Sequence, residues 1–252
     1  MIVIKYTSLA SYTKQLSLLF YRCSDNVIHS LGDTRLPILF NKHEKLLDVI
    51  VNKQIPTGKF AYLSVNDEHS IATKPVEFLS QFTQDDDVYV LVPLISMVDR
   101  LKSLLLRSSA GDCGTDVDCY VRNAYRIHAN SMLAQKGVTF DDSHVTFESV
   151  ILLDQLEQLV QLHNDKKITL IFVSKDTMLH HPDKILARLD ISGDNVWVDG
   201  GKAATMTRRV KKQITWEAST NLRAVLNEHA EKIDRRTAEI EQLITDNAIE
   251  VL

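Results

Sequence analysis

Ile2, Ile4 and Tyr6 alternate with Val3 and Lys5, and after a polar turn Leu16, Leu18 and Phe20 alternate again. Successive side chains on a strand face opposite sides, so this pattern predicts an N-terminal hairpin with one face buried. Ser24 and Asp25 then offer an N-cap to a short predicted helix carrying Val27, Ile28 and Leu31 and ending at Gly32. Leu36 and Pro37 lead into a short amphipathic stretch through Leu46 and Leu47, then Val49 to Val51 and a turn at Pro56 and Gly58. Phe60 to Val65 reads as a strand and Asn66 with Asp67 as a tight turn. Val88 to Val92 reads as a further strand, entered from the acidic run Asp85 to Asp87. Two hairpin-like pairs about one helix predict a β-grasp (ubiquitin-like) domain, a mixed sheet curled over a helix.

The pattern changes after residue 95. Leu94 to Arg107 has apolar residues at helical spacing, and Ser108 to Asp118 is rich in Ser, Gly and Asp, which marks a domain boundary. Phe147 to Leu162 predicts a helix with Val150, Leu153, Leu156, Leu159 and Val160 facing inward. Ile168 to Val173 is the continuous apolar run of a buried strand. Pro182 opens a helix containing Ile185, Leu186 and Leu189, and Ser192 to Asn195 turns into a strand at Val196 to Val198. Lys202 to Trp216 reads as an edge strand or extended arm. Glu217 to Asn247 is amphipathic: Leu222, Leu226, His229, Ile233, Ile240 and Ile244 lie near one stripe, interrupted by Arg236 and Thr237. The expected fold class is therefore α+β. A β-grasp domain over 1–95 is followed by a helix and polar linker over 96–118, then by a small α/β domain over 119–252 with a long C-terminal helix.

Part of this order matches a known pattern. Val3, Tyr6 and Leu9 stand at three-residue steps, followed by the capped helix from Ser24 to Leu31, by Leu36 and Pro37, by a strand at Tyr62 to Val65, and by a closing Val88-Tyr89-Val90-Leu91-Val92-Pro93. Residues 1–95 thereby resemble the N-terminal domain of the tail assembly protein I family of lambda-type siphophages. The resemblance implies a β-grasp domain docking on neighbouring subunits near the tail tip of a virion. The C-terminal half lies outside it.

Composition narrows the classes. With 252 residues, 44% apolar and 25% charged, the chain is long enough to bury a core of two domains and reads as globular. No apolar run approaches the roughly 18 residues of a membrane span, and the N-terminus has no signal-peptide pattern, so a start in the cytoplasm is expected. Cys23, Cys113 and Cys119 cannot all pair, and reduced thiols are the default. A net charge of −4 argues against a surface that coats nucleic acid.

No motif carries catalysis. Cys113, Cys119 and His128 suggest zinc, but the C-x5-C spacing is not that of a knuckle and a fourth ligand is missing. Cys119 with His128 as nucleophile and base lacks an orienting third group. His180 and His181, with Asp176 and Asp183 nearby, read as a solvated turn before a helix, and Asp85 to Asp87 as a solvated turn before a strand. Gly200, Gly201 and Lys202, followed by Thr205 and Thr207, do not have the spacing of a phosphate loop. Arg208, Arg209, Lys211 and Lys212 form the strongest basic cluster and suit a partner-facing strand edge.

The resulting expectation is a non-enzymatic assembly protein of a tailed phage virion, put together in the host cytoplasm and without cofactor or metal. Its partners would be other tail proteins in a symmetric hetero-oligomer, contacted through Arg208, Arg209, Lys211, Lys212, Leu222, Leu226, Ile233 and Ile240. A head-to-tail connector component, and a nucleic-acid-linked regulatory protein using residues 202–212, are the alternatives.

Overall fold

The computed structural model describes residues 1–7, 16, 19–20, 27–29, 50, 52, 54–66, 79–94, 96, 144–191, 227 and 230–252. Six strands are described: β1 (Ile2–Thr7), β2 (Val27–His29), β3 (Phe60–Asn66), β4 (Val88–Leu94), β5 (Thr169–Ser174) and β6 (Glu250–Val251). They form one sheet in the order β2-β3-β1-β4-β5-β6. Every neighbouring pair is parallel. Four helices are described with their bounds: α1 (His144–Asn164), α2 (Lys175–His180), α3 (Pro182–Arg188) and α4 (Ala230–Asp246). Helix and strand are mixed, as an α+β chain requires, but the strands do not pair as expected.

Parallel neighbours cannot be joined by tight turns, because the chain must cross back over the sheet between them. That geometry explains the apolar strand sequences, since both faces are covered. On one face Ile2, Ile4, Tyr6, Val88, Val90, Val92, Leu170 and Phe172 share a core with Leu156, Leu159 and Leu162 of α1 and Ile233, Ile240 and Ile244 of α4. On the other, Val3, Tyr62, Leu91, Ile171 and Val173 pack with Leu16, Leu19 and Phe20 and with Met178, Ile185 and Leu189. The unbroken run at Val88 to Val92 is thus two half-buried stripes added together.

Two expected elements are corrected. Leu16, Leu19 and Phe20 are helical, not strand, and all three are buried. Residues i, i+3 and i+4 face one way on a helix, and in so short a window this spacing overlaps the i, i+2, i+4 spacing of a strand. Phe20 stacks on Tyr62 with centroids 4.8 Å apart and meets Phe60 edge-on at 6.3 Å, which ties this turn to β3. Val27 to His29 is a strand, not part of a capped helix. The β-branched pair Val27 and Ile28 fits the sheet edge better than a helix interior. The antiparallel hairpins of a β-grasp are not among the described pairings: β1 lies between β3 and β4, parallel to both.

The expected boundary at 96–118 does not divide the sheet. β4 pairs with β5 from Tyr89↔Thr169 to Leu94↔Ser174, so residues of both halves share one sheet and both cores. A Ser- and Gly-rich segment has the same composition whether it links domains or crosses between strands of one. Leu94 itself closes β4 and does not open a helix. The expected helix over 147–162 and strand over 168–173 appear as α1 and β5, and α3 opens on Pro182 as expected. Of the amphipathic stretch over 217–247, residues 230–246 are the helix α4.

Three helices end in the same way. Lys166, Asp190 and Ala248 have φ of 58°, 52° and 49°, the left-handed region. In each case the next amide reaches back to an earlier carbonyl: Lys167 N to Leu162 O, Ile191 N to Leu186 O, and Ile249 N to Ile244 O. This pattern satisfies helix-end carbonyls and turns the chain sharply. After α1 and α4 that turn feeds β5 and β6 directly.

Candidate functional site

In an open parallel sheet the chain leaves room for a ligand where strand order reverses, at the carboxyl ends of the strands. Here β1 is central: β2 and β3 lie to one side, and β4, β5 and β6 to the other. The reversal is therefore at the carboxyl ends of β1 and β4. Thr7 closes β1 and pairs with Asn66, the last residue of β3, while Leu94 closes β4 opposite Ser174 of β5. This rim is the candidate site.

Three polar side chains are buried among the described residues: Lys5, Gln155 and Thr177. Thr177 is accounted for. It sits in the first turn of α2, where Ser174 caps the helix: Thr177 N–H donates to Ser174 Oγ at 3.1 Å and the two hydroxyls lie 3.0 Å apart. Lys5 is two residues before the end of β1, in register with Ser64 and Leu91, and is 5% exposed. It is engaged in an interaction of its own. Gln155, on α1, is 2% exposed, and its Oε1 has no hydrogen-bond partner. Such an orphaned acceptor costs about 1–3 kcal/mol, so its retention calls for an explanation.

A second feature lies at the β6 edge of the sheet. Leu252 N–H donates to Phe172 O at 2.9 Å and Ser174 N–H donates to Leu252 O at 2.7 Å. In a parallel pairing both backbone groups of Val251 then point away from β5. Its side chain, 46% exposed, is the large apolar one left in water among the described residues. Arg188 holds this strand in place, with Nε 2.7 and 2.9 Å from the two carboxylate oxygens of Glu250 and its guanidinium 5.8 Å from the Tyr89 ring centroid. The Arg188 guanidinium is raised above its ordinary value, chiefly by that hydrogen bond and against partial desolvation.

The residues singled out from sequence divide in two. Arg208, Arg209, Lys211, Lys212, Leu222 and Leu226 lie outside the described residues, as do Cys23, Cys113, Cys119, His128, Gly200, Gly201, Lys202, Thr205 and Thr207. Ile233 and Ile240 are described and are corrected as partner-binding residues: they are 4% and 8% exposed, filling the core against α1. The stripe was legible, but its partner is the protein's own sheet. Thr237, which interrupts it, donates its hydroxyl to Ile233 O at 2.9 Å, and Arg236 pairs with Glu239. His181 and Asp176 are 3.7 Å apart and both largely exposed. Among the described residues no three His, Cys, Asp or Glu side chains gather as for a metal. Asp86 takes the Thr83 amide at 2.8 Å and its hydroxyl at 3.1 Å, so the acidic run folds on itself as a turn. Sequence reasoning missed Lys5 and Gln155, whose only signal is a polar residue inside an apolar period.

No family model, curated protein or solved structure matches this chain. Among the described residues no helix is long and apolar enough to cross a membrane.

Proposed function

We propose that the protein acts by binding other proteins within a larger assembly and not by catalysis. The observation that supports this reading is the β6 edge: outward backbone groups and an exposed Val251 on a strand clamped by Arg188 and Glu250. A rigid open edge is a template onto which a partner strand adds by main-chain hydrogen bonds. Assembly at the tail tip of a phage virion is the specific form of the proposal, and it rests on the sequence resemblance. Of the segments that carry the resemblance, those at Val3 to Tyr6, Tyr62 to Val65 and Val88 to Pro93 are strands of one sheet, whereas Val27 to His29 is a strand in place of the expected helix.

The edge is tested with Val251→Lys, a substitution at an exposed position that puts a charge where a partner strand would lie. The expected outcome is an unchanged melting temperature and loss of the protein from the assemblies in which the unsubstituted chain migrates on gradient centrifugation. Normal incorporation of the variant refutes the edge as the contact. For the tail-tip form, an antibody against the chain is expected to label one end of purified tailed particles, and particles free of label refute it.

A further inference from the structure

We infer that the strand received at the β6 edge comes from a different protein and is cationic, with Lys or Arg two places from a small apolar residue. This deepens the docking proposal and rests on it. The edge itself selects backbone, since the N–H and C=O of Val251 face outward. The Val251 side chain, 46% exposed, lies on the same sheet face as its register partner Phe172, which is the α4 face. What selects sequence is the flank of α4 above that edge.

Side chains on a helix repeat every 3.6 residues, so the buried Ile233, Ile240 and Ile244 mark the side of α4 turned to the sheet. Asn247 fixes the side turned to α1: its Oδ1 accepts from Asn164 Nδ2 at 2.8 Å, and Leu243, one turn earlier, is half-buried beside it. The opposite side carries Asp234, Glu241 and Thr245, all exposed. Because α1 feeds β5 and α4 feeds β6, the side of α4 away from α1 is the side beyond the last strand of the described sheet. Ile249 N–H donates to Ile244 O at 3.1 Å, which sets the base of the strand level with that turn of the helix. Three residues of helix rise about 5 Å and two of strand about 7 Å, so Glu241 stands close to the level of Val251. Asp234 is about two turns further, roughly 10 Å in the same direction.

The neighbouring charges are committed. Glu250 is held by Arg188, and Arg236 pairs with Glu239. Asp234 and Glu241 make no ion pair among the described residues. A strand added beside Val251 presents side chains to the α4 face every 7 Å or so, about the spacing that brings its next residue on that face under one of these carboxylates, within reach of a Lys or Arg stem. A second copy of this chain is the wrong partner. Two β6 edges joined antiparallel about a twofold axis keep their α4 helices on one face and bring the two acidic flanks together, where like charges repel.

The test uses the full chain and a labelled, end-capped peptide of seven residues, threonine throughout except for a central valine with lysine two places to either side. Saturable binding is expected by fluorescence anisotropy, lost when the valine and the threonines beside it are N-methylated. Replacing both lysines by glutamate should weaken it about tenfold, since each exposed ion pair is worth about threefold and its reversal repels. The double variant Asp234→Lys with Glu241→Lys, at exposed positions, should keep its melting temperature and exchange the preference, taking the glutamate peptide over the lysine one. Equal binding of both peptides overturns the inference and leaves the edge standing. So does a dimer in sedimentation that Val251→Lys abolishes, because the partner is then a second copy. Absence of binding at millimolar peptide while Val251→Lys drops out of the assemblies overturns the cationic strand alone; absence of binding with normal incorporation of Val251→Lys overturns the edge reading as well.

Discussion

Ile240 and Ile244 lie one turn apart on α4, each 8% exposed, in the same core as Leu156, Leu159 and Leu162 of α1. Truncating either to alanine removes three buried carbons and leaves a cavity between α4, α1 and the sheet. Ile→Ala at buried sites costs about 2–5 kcal/mol, and residual exposure places each of these near the lower end, about 2–3 kcal/mol. For a chain of this length, a urea slope of about 3 kcal/mol per molar makes that a fall of roughly 1 M in the unfolding midpoint. The two effects should combine with less than full additivity, because neighbours on one helix face share the same cavity. The assay is urea unfolding followed by circular dichroism at two protein concentrations a hundredfold apart. The midpoint shift should be the same at both, since the stripe is buried by the chain itself. A shift that disappears on dilution would show that α4 is stabilised by another subunit, and no shift at all would remove α4 from the core.

Phe20→Ala should cost about 3–5 kcal/mol, because a fully buried ring that stacks on Tyr62 and meets Phe60 is deleted; a loss below 1 kcal/mol by chemical denaturation would refute the helical placement. Ala248→Gly should stabilise by about 0.5–1 kcal/mol, since relief of a left-handed alanine exceeds the added freedom of the unfolded chain; a lowered melting temperature contradicts it. A double-mutant cycle on Arg188 and Glu250, both about a third exposed, should give a coupling of about 0.5–1 kcal/mol that shrinks in 1 M salt. A salt-independent coupling would argue against an ion pair.

The positions of the main strands were legible, and their partners were not. Ile2 to Tyr6, Phe60 to Val65 and Val88 to Val92 are each within a residue or two of a strand, because an apolar run bounded by polar residues signals burial wherever the strand pairs. Parallel and antiparallel pairing differ in what lies between the strands. The longest intervening stretches, 97–143 and 192–226, lie outside the described residues. The run at Val88 to Val92 carries two buried stripes, and the second is the sequence mark of a sheet covered on both sides. For the site, Ile233 and Ile240 show that an amphipathic stripe reports burial without naming the partner. Gln155 shows the converse: a lone polar residue within a buried helical stripe carries a signal that periodicity discards as noise.

Pairing all strands in parallel also moves the surfaces on which this protein can act. A sheet curled over one helix has an open face, whereas here both faces of the sheet carry a buried core, and among the described residues the β6 edge presents the exposed Val251. The β6 edge and the rim meet at Ser174. Its amide donates to Leu252 O, which fastens the edge strand, while its hydroxyl caps α2 and its register partner Leu94 ends β4. A partner strand that pulled on β6 would thus pull on the residue that sets the end of β5.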